Sequence, residues 1–280
     1  MIVMVGDLLS NFSFSAQWNG GVFYFVLLTI VCYLFILPTP KNHPKGKSVV
    51  FVIAILLLAF TLGGPLNILA RMIFRAHIIQ MVILFFIVAP MLVLGAKRGI
   101  LSSKLTRPFI NNWNMIIKRP IISILFFHGL FLMYHIPSVF DEIRMSNMLN
   151  YLYLIGLFLA AILLYSSLFT YNDDNLFSIQ YKRTYVALNM IILLGFSVFL
   201  LITKKQLFGI YNDLELLQSA LNVCLPAEET IEDIPVEFFD VLNPYPPLQE
   251  QKIGGSILAG SQVLTLLLFS SYSFLRNKKI

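Results

Sequence analysis

Side chains that bind soft metal ions lie on one face of a predicted helix. His77, Gln80 and Met81 follow the short polar stretch Gly63–Arg75, and their spacing of three and four residues places them on the same side of that helix. Neutral imidazole suits copper and zinc, whereas thioether sulfur suits copper(I). We therefore predict a site that is built outward from this face.

A second stretch with histidine, Tyr134–Asp141, ends another apolar run. It contains His135, and His128 lies seven residues earlier, two helical turns away on nearly the same face. If both runs end at the same membrane surface, His77 and His135 lie at the same depth. Two imidazoles and a thioether such as that of Met81 would then suit copper(I).

The same residues have a structural interpretation, which the sequence leaves open. A histidine at a helix end can simply hydrogen-bond a loop carbonyl, and methionine is common filler in apolar cores. A polar side chain inside a membrane span, however, is costly and often functional. Metal binding by His77, His135 and Met81 is one hypothesis, and stabilisation of helix ends is its alternative.

The composition indicates an integral membrane protein. Hydrophobic residues make up 58% of the chain and charged residues 12%, whereas soluble domains contain about 45–50% apolar and about 25% charged residues. For 280 residues the simplest arrangement is one membrane domain over residues 1–280. The lipid bilayer is therefore its first expected partner.

The apolar runs predict an all-α polytopic membrane protein with seven transmembrane helices. A bilayer requires about 17–25 residues per helix, and all runs except the second come close to that length. The pair Gly63–Gly64 followed by Pro65 predicts the end of the second run, because proline cannot donate the next helical hydrogen bond. The predicted spans are residues 21–37, 48–64, 77–94, 120–136, 149–169, 185–202 and 253–275.

The basic residues predict the orientation of the chain. Of the 20 lysines and arginines, fourteen lie in one set of alternate loops together with the C-terminal tail, and six lie in the other set. Loops rich in lysine and arginine stay in the cytoplasm. The N-terminus is thus predicted outside and the C-terminus in the cytoplasm, with His77 and His135 at the outer surface. The net charge of +6 then follows from topology, and no nucleic-acid partner is expected.

Residues 203–252 form a predicted acidic loop outside the membrane. This segment holds nine of the 14 acidic residues, and Leu214–Leu221 within it is predicted as a short amphipathic helix.

Cys32 and Cys224 are predicted as two unlinked thiols, because they fall at different depths. Arginines near the outer surface have alternative predicted partners. Arg71 and Arg75 either pair with Asp141 or contact anionic lipid or a partner protein.

Few other polar residues lie inside the spans. Asn189 and Gln262 predict an interhelical hydrogen-bonded pair, and Ser256 and Gly260 predict a helix-packing face of small residues. There is no series of intramembrane carboxylates for ion coupling. Nor is there a nucleotide-binding loop, a nucleophile elbow or an HExxH motif, so we do not expect an enzyme.

Several motifs together resemble the bacterial CtaG family of membrane proteins. They occur in the family's order over ~190 residues. The matching residues are Gly64-Pro65-Leu66, Ala76-His77-x-x-Gln80, Ala89-Pro90, Tyr134-His135-x-Pro137-x-x-x-Asp141 and Pro247-Leu248-x-Glu250-Gln251-x-x-Gly254-Gly255. The resemblance implies a multi-pass protein of the bacterial cytoplasmic membrane. It also implies a role in assembling a caa-type cytochrome c oxidase, with oxidase subunits as partners and copper as the metal concerned.

The chain departs from the family pattern where that pattern is richest in histidine. The family usually reads Ala-His-x-x-Gln-His, but Met81 stands in the second histidine position. Histidines at the outer start of the fifth helix are replaced by Asn150 and Leu154, and the usual aspartate before the last span is Glu250, followed by Gln251. The resemblance thus implies a reduced histidine set and shifts the expected copper ligation toward sulfur.

The sequence favours an assembly factor that handles copper(I) at the outer surface through His77, Met81 and His135. Two alternatives stay open. One is a permease for copper or a small solute, which needs a polar path through the bilayer; the other is a ligand-free membrane scaffold. The residues expected to orient the imidazoles or to dock a partner are Gln80, Asp141, Arg71, Arg75, Glu250 and Gln251.

Overall fold

Helices form every regular element in the part of the chain that the computed structural model describes, which comprises residues 6, 8–97, 120–170, 179–223, 225–226, 230–231, 234, 238 and 246–277. Two π-helical turns extend α2 (Cys32–Ile36) and join α5 to α6 (Ile83–Val88), and Gly209–Tyr211 forms a 3-10 turn. The α-helices are α1 (Phe14–Gln17), α2 (Gly20–Val31), α3 (Lys45–Gly63), α4 (Pro65–Met72), α5 (Phe74–Val82), α6 (Ala89–Gly95), α7 (Pro120–Tyr134), α8 (Pro137–Arg144), α9 (Asn147–Thr170), α10 (Ile179–Ile202), α11 (Leu214–Asn222) and α12 (Pro247–Asn277).

Four helical stretches among the described residues are long and apolar enough to cross a membrane. They are Lys45–Gly63, Phe74–Gly95, Asn147–Phe169 and Arg183–Ile202. A fifth candidate arises if α7 and α8, which are bent by 78° at their junction, form one broken span. Helices occupy all seven predicted runs, but length and composition support four or five spans. The seven-span count and the orientation stay predictions.

Some of the sequence predictions concern residues outside the described ranges. Among them are Cys224 and much of the basic loop, residues 98–119. The same applies to acids that were used to predict topology and the acidic loop, namely Asp173, Asp174, Glu228, Glu229, Glu232, Asp233, Glu237 and Asp240. In the described part of that loop, Leu214–Asn222 is helical, which confirms the predicted amphipathic helix.

The break between α3 and α4 confirms the predicted effect of the Gly-Gly-Pro sequence. Gly64 has extended backbone angles, and Pro65 is the first residue of α4, where its missing N–H has no helical partner to lose. A Cβ atom on Gly64 would lie 2.6 Å from the carbonyl oxygen of Phe60. Glycine is therefore required for the chain to turn so closely past α3.

A layer of short elements, here called the cap, covers one end of the bundle. It consists of α4, α8, the turn Gly209–Tyr211 and α11. Hydrogen bonds join these elements: Nη1 of Arg71 donates to the carbonyl oxygen of Arg144 at 2.9 Å, and the Tyr211 hydroxyl donates to that of Ala70 at 2.9 Å. The short polar stretch Gly63–Arg75 is thus mostly helical, and Arg71 on it is fully buried.

Glycine allows α12 to approach α5 closely. A Cβ atom on Gly254 would lie 2.8 Å from the ring of Phe74, whereas one on Gly260 would meet no atom within 4 Å. Ser256 is exposed. The predicted packing face at Ser256 and Gly260 is therefore wrong, because the small residues that contact other helices lie at the start of α12.

Candidate functional site

His77 and His135 meet in the interior, directly beneath the cap. His77 lies in the first turns of α5, and His135 follows α7 at the bend that leads into α8. Their ring centroids are 5.7 Å apart, although 57 residues separate them in the sequence. The exposed fractions are 0% for His77 and 4% for His135. The two histidines predicted to share one depth are therefore neighbours.

Within the described part of the chain, three of the four imidazole nitrogens in this pair have no hydrogen-bond partner. Nδ1 of His135 lies 2.8 Å from the carbonyl oxygen of Phe131, which can only accept. This bond fixes the proton on Nδ1 and leaves Nε2 as a lone-pair donor. Nε2 of His135 and both nitrogens of His77 are buried without a partner. Unsatisfied buried polar atoms are rare and call for an explanation such as a bound ion.

Aromatic rings surround the two imidazoles. Phe140 contacts both, with centroid distances of 5.1 Å to His77 and 6.0 Å to His135. Tyr134 likewise lies 5.7 Å from His77 and 5.2 Å from His135. Further rings against the pair are those of Phe74, Phe131, Phe196 and Phe208. Water is therefore excluded, and this low-dielectric setting strengthens any interaction with a bound charge.

The segment Leu207–Tyr211, here called the lid, closes the site from above. Its Phe208 ring stacks on Phe74 at 4.8 Å and contacts Phe140 at 4.6 Å. The Asp141 carboxylate accepts the backbone N–H groups of Gly209 and Ile210 at 2.9 and 3.1 Å. These bonds differ from the imidazole-orienting role predicted for Asp141, because the carboxylate is engaged by the lid.

Gln251 holds the other end of the lid. Its Oε1 accepts the backbone N–H of Leu207 at 3.0 Å, and its Nε2 lies 3.4 Å from the carbonyl oxygen of Lys205. Gln251 is fully buried at the start of α12. The lid is thus fixed from α8 on one side and from α12 on the other.

Gln80 also has a role different from the predicted one. Its Nε2 donates to the carbonyl oxygen of Thr61 at 2.9 Å and to Oδ1 of Asn67 at 3.1 Å. These bonds connect α5 to the end of α3 and to α4. Gln80 therefore stabilises the break between the two helices and does not bond an imidazole.

The predicted pairing of Arg71 or Arg75 with Asp141 is wrong. Arg71 is directed into the cap, where its Nη2 donates to Oδ1 of Asn147 at 3.0 Å. Nε of Arg75 lies 3.4 Å from Oε2 of Glu250. Asp141 is instead satisfied by backbone N–H groups. Sequence alone did not show which helix end each arginine would face.

Met81 lies one turn after His77 and is fully buried. It belongs to the hydrophobic core that also contains Phe74, Tyr134 and Phe140. Two further polar atoms beside the site have no partner, the amide nitrogen of Asn150 and the hydroxyl of Tyr153, whose ring lies 5.2 Å from that of Tyr134. In the described part of the chain, no three His, Cys, Asp or Glu side chains form a group able to hold a metal ion. A third ligand beside His77 and His135 would therefore have to be of another type, such as a thioether.

Sequence reasoning missed the lid and its aromatic residue. Phe208 follows α10 by six residues, and nothing in its local pattern distinguishes it from other phenylalanines. His128 does not join the pair, because its Nε2 lies 2.8 Å from Oδ1 of Asn189. The predicted bond between Asn189 and Gln262 is absent from the described residues, where Gln262 donates to Ser261.

The match to known proteins covers nearly the whole chain. The family model of the cytochrome c oxidase caa3 assembly factor (Caa3_CtaG) matches residues 22–277. This range contains the histidine pair, the cap and the lid. No curated protein and no solved structure matches the chain. The extent of the family match shows that the chain belongs to the caa3 cytochrome c oxidase assembly factor family.

Proposed function

We propose that this protein holds copper(I) between His77 and His135 and supplies it during assembly of a caa3-type cytochrome c oxidase. The observation that carries the proposal is the pair of buried imidazoles with unpartnered nitrogens, 5.7 Å apart between ring centroids. Copper is cargo in this proposal, so the protein needs no catalytic turnover. Oxidase subunits are the partners that would receive it.

The separation of the two rings suits one shared ion. A metal ion lies about 2 Å from a ligating imidazole nitrogen and hence roughly 3 Å from the ring centroid, so two rings on one ion have centroids at most about 6 Å apart. The measured 5.7 Å falls just inside that limit. Ligation would also satisfy one nitrogen on each ring, which removes part of the cost of burying them.

The character of the ligands favours copper(I) over a doubly charged ion. Neutral imidazoles carry no negative charge to offset that of a cation, and the surrounding aromatic rings keep water away from it. A cation of low charge is therefore the least costly to bury there. Met81, one turn from His77, offers the thioether that copper(I) accepts and harder ions do not. Asn150 and Tyr153 are too hard as donors to replace it.

For delivery to an oxidase the site must face the correct side of the membrane. We propose the seven-span topology of the predicted runs, with the N-terminus outside and the cap at the extracytoplasmic surface of the bacterial cytoplasmic membrane. The excess of lysine and arginine in the opposite loops supports this orientation. Alkaline phosphatase fused after Asn222 should be active, and the same fusion after Asn42 inactive; the reverse pattern would refute the orientation.

Copper binding by the purified protein tests the site directly. The protein in detergent competes for copper(I) with a chromophoric chelator, and we expect one ion per chain in the wild type. His77→Ala and His135→Ala should each lower the affinity at least tenfold. His43→Ala is the matched control, because His43 bonds Tyr33 and Ser48 at the opposite end of the bundle. Wild-type protein that binds no copper(I) would refute the metal step.

Oxidase assembly in cells separates the alternatives. A strain without this gene should lack copper-loaded caa3 oxidase by membrane spectrum and metal content, and the wild-type gene should restore it. If the histidine variants restore assembly fully, a ligand-free scaffold is correct. Copper uptake by proteoliposomes would instead support a permease.

A further inference from the structure

A cavity lies among the helices, in the half of the bundle away from the cap. Its volume is about 410 Å³, which falls within the roughly 300–1,000 Å³ of typical small-molecule sites. Neither His77 nor His135 lines it. The wall is formed by α9, α10, α12 and the end of the Phe74–Gly95 stretch, including Phe86, Tyr165, Leu193 and Gln262.

The cavity reaches the lipid-facing surface of the bundle. Ile87 lines it and is 40% exposed on the outside. Three of its walls belong to stretches that are apolar and long enough to cross a membrane, Phe74–Gly95, Asn147–Phe169 and Arg183–Ile202. A molecule that enters therefore comes from the hydrocarbon phase, because an ion or a water-soluble solute would have to lose its hydration first.

Gln262 places an unused acceptor in this apolar wall. The side chain is 2% exposed, and its only hydrogen bond among the described residues is from Nε2 to the Ser261 hydroxyl, at 3.2 Å. No described residue donates a hydrogen bond to its Oε1. A bare amide oxygen facing hydrocarbon is costly, so the position suits a ligand that donates a hydrogen bond.

Asn189 lies in the same wall, but its hydrogen bonds are made within the protein. Its Nδ2 donates to the carbonyl oxygen of Tyr185 at 2.7 Å, so Oδ1 must face His128 and accept from that imidazole at 2.8 Å. These two bonds fix the orientation of the amide. An amide nitrogen carries two hydrogens, and the Asn189 side chain also hydrogen-bonds the Tyr185 side chain, so the unused polar atom of this wall is Oε1 of Gln262.

We infer that the cavity binds a lipophilic alcohol or phenol from the bilayer. A hydroxyl group can donate a hydrogen bond, which matches the free oxygen of Gln262. The hydrocarbon body of the molecule fits the remaining wall, including the rings of Phe86 and Tyr165. A plain acyl chain would fill the volume but leave the Gln262 oxygen unsatisfied.

A pair of photoreactive probes tests this inference. One is a long-chain alcohol that carries a diazirine, and the other is its methyl ether, which cannot donate. Purified protein in nanodiscs is irradiated with each probe, and labelled peptides are quantified by mass spectrometry. We expect the alcohol to label peptides containing Met91 or Leu193 roughly three- to tenfold more than the ether, as the loss of one hydrogen bond predicts.

Variants separate the hydrogen bond from the cavity itself. Gln262→Leu should abolish the preference for the alcohol while labelling by the ether persists. Gln249→Leu, on an exposed position of the same helix, should leave the preference unchanged. Equal labelling of the wild type by both probes would overturn the inference and assign the cavity to ordinary acyl chains. Absence of labelling at these peptides would also overturn it.

Discussion

Oδ2 of Asp141 lies 2.9 Å from the backbone nitrogen of Gly209. This bond joins the bent helix after His135 to the lid that covers His135. A Cβ atom on Gly209 would lie 2.8 Å from the same carboxylate oxygen, so only glycine allows the approach. Because the histidine pair is buried beneath the lid, an ion in the proposed copper site would enter or leave when this connection opens, and the strength of the bond should control access.

Asp141→Asn is therefore expected to loosen the lid without unfolding the protein. The amide can accept one of the two N–H groups, but it loses the charge, and hydrogen bonds to charged groups contribute about 1.5–3 kcal/mol. We expect amide hydrogen exchange at Gly209 and Ile210 to accelerate at least tenfold, and copper(I) transfer to a chelator to accelerate with it. Glu142→Gln, on the neighbouring exposed residue, should change neither rate. Unchanged exchange in Asp141→Asn would show that the carboxylate does not hold the lid.

Arg75→Gln should destabilise the fold more than Glu250→Gln does. The Glu250 side chain is 2% exposed and the Arg75 side chain 14% exposed. Removal of the arginine leaves a buried carboxylate without its cation, which we expect to cost about 2–4 kcal/mol, whereas a neutral glutamine at position 250 should cost about 1 kcal/mol. Thermal unfolding in detergent measures both values. A larger effect of Glu250→Gln would contradict the assignment.

The effect of Arg75→Gln should also depend on pH. Glu250 lies less than one turn before the predicted last span, and burial raises the pKa of its carboxyl while Arg75 opposes that rise. Without Arg75 the pKa rises further, so the folded state keeps a proton that the unfolded chain has already released. The variant then loses stability as the pH rises, and regains it as the pH falls toward the pKa of this carboxyl in the unfolded chain. The difference in thermal stability between Arg75→Gln and the wild type should therefore become smaller as the pH is lowered from about 7.5 to about 5. A difference that does not change with pH would contradict this.

The helices and a common depth for the two histidines were predictable from the sequence, for different physical reasons. Apolar runs must be helical in a bilayer because every backbone group has to be satisfied within the segment. The span count and the loop charge then predicted that the start of α5 and the end of α7 lie at one surface, with His77 and His135 at one depth. Depth alone does not make two residues neighbours, so their 5.7 Å separation needed the structure.

The cap could not be predicted, because its contacts join residues far apart in the chain. Arg71 donates to the carbonyl oxygen of Arg144, 73 positions away, and a buried arginine is contrary to its usual place at the surface. Local sequence could show that α4 begins at Pro65. Local sequence could not show that the carbonyl oxygen of Ala70, on α4, would accept a hydrogen bond from the Tyr211 hydroxyl.

Gly254→Ala should disturb the site through Phe74, whereas Gly260→Ala should not. The added methyl group at position 254 would lie 2.8 Å from the Phe74 ring, which stacks on Phe208 of the lid. Overpacking of this kind typically costs about 1–3 kcal/mol. At position 260 nothing lies within 4 Å, so alanine should raise helix stability by up to about 1 kcal/mol. Unfolding temperatures that move in the same direction for both variants would contradict the close packing of α12 on α5.

Met81→Leu should reveal whether sulfur binds the copper. Leucine keeps the volume of methionine, and such changes usually cost less than about 1.5 kcal/mol of stability. X-ray absorption of the copper(I)-loaded wild type should show one sulfur neighbour in addition to nitrogen, and Met81→Leu should lose it, with affinity lower by about tenfold, or about 1.4 kcal/mol. Met190→Leu is the control, because Met190 lines the distant cavity.

Met81→His, which restores the family's second histidine, should bind copper with nitrogen ligands alone. A wild-type spectrum without sulfur would show that the two imidazoles hold copper without Met81.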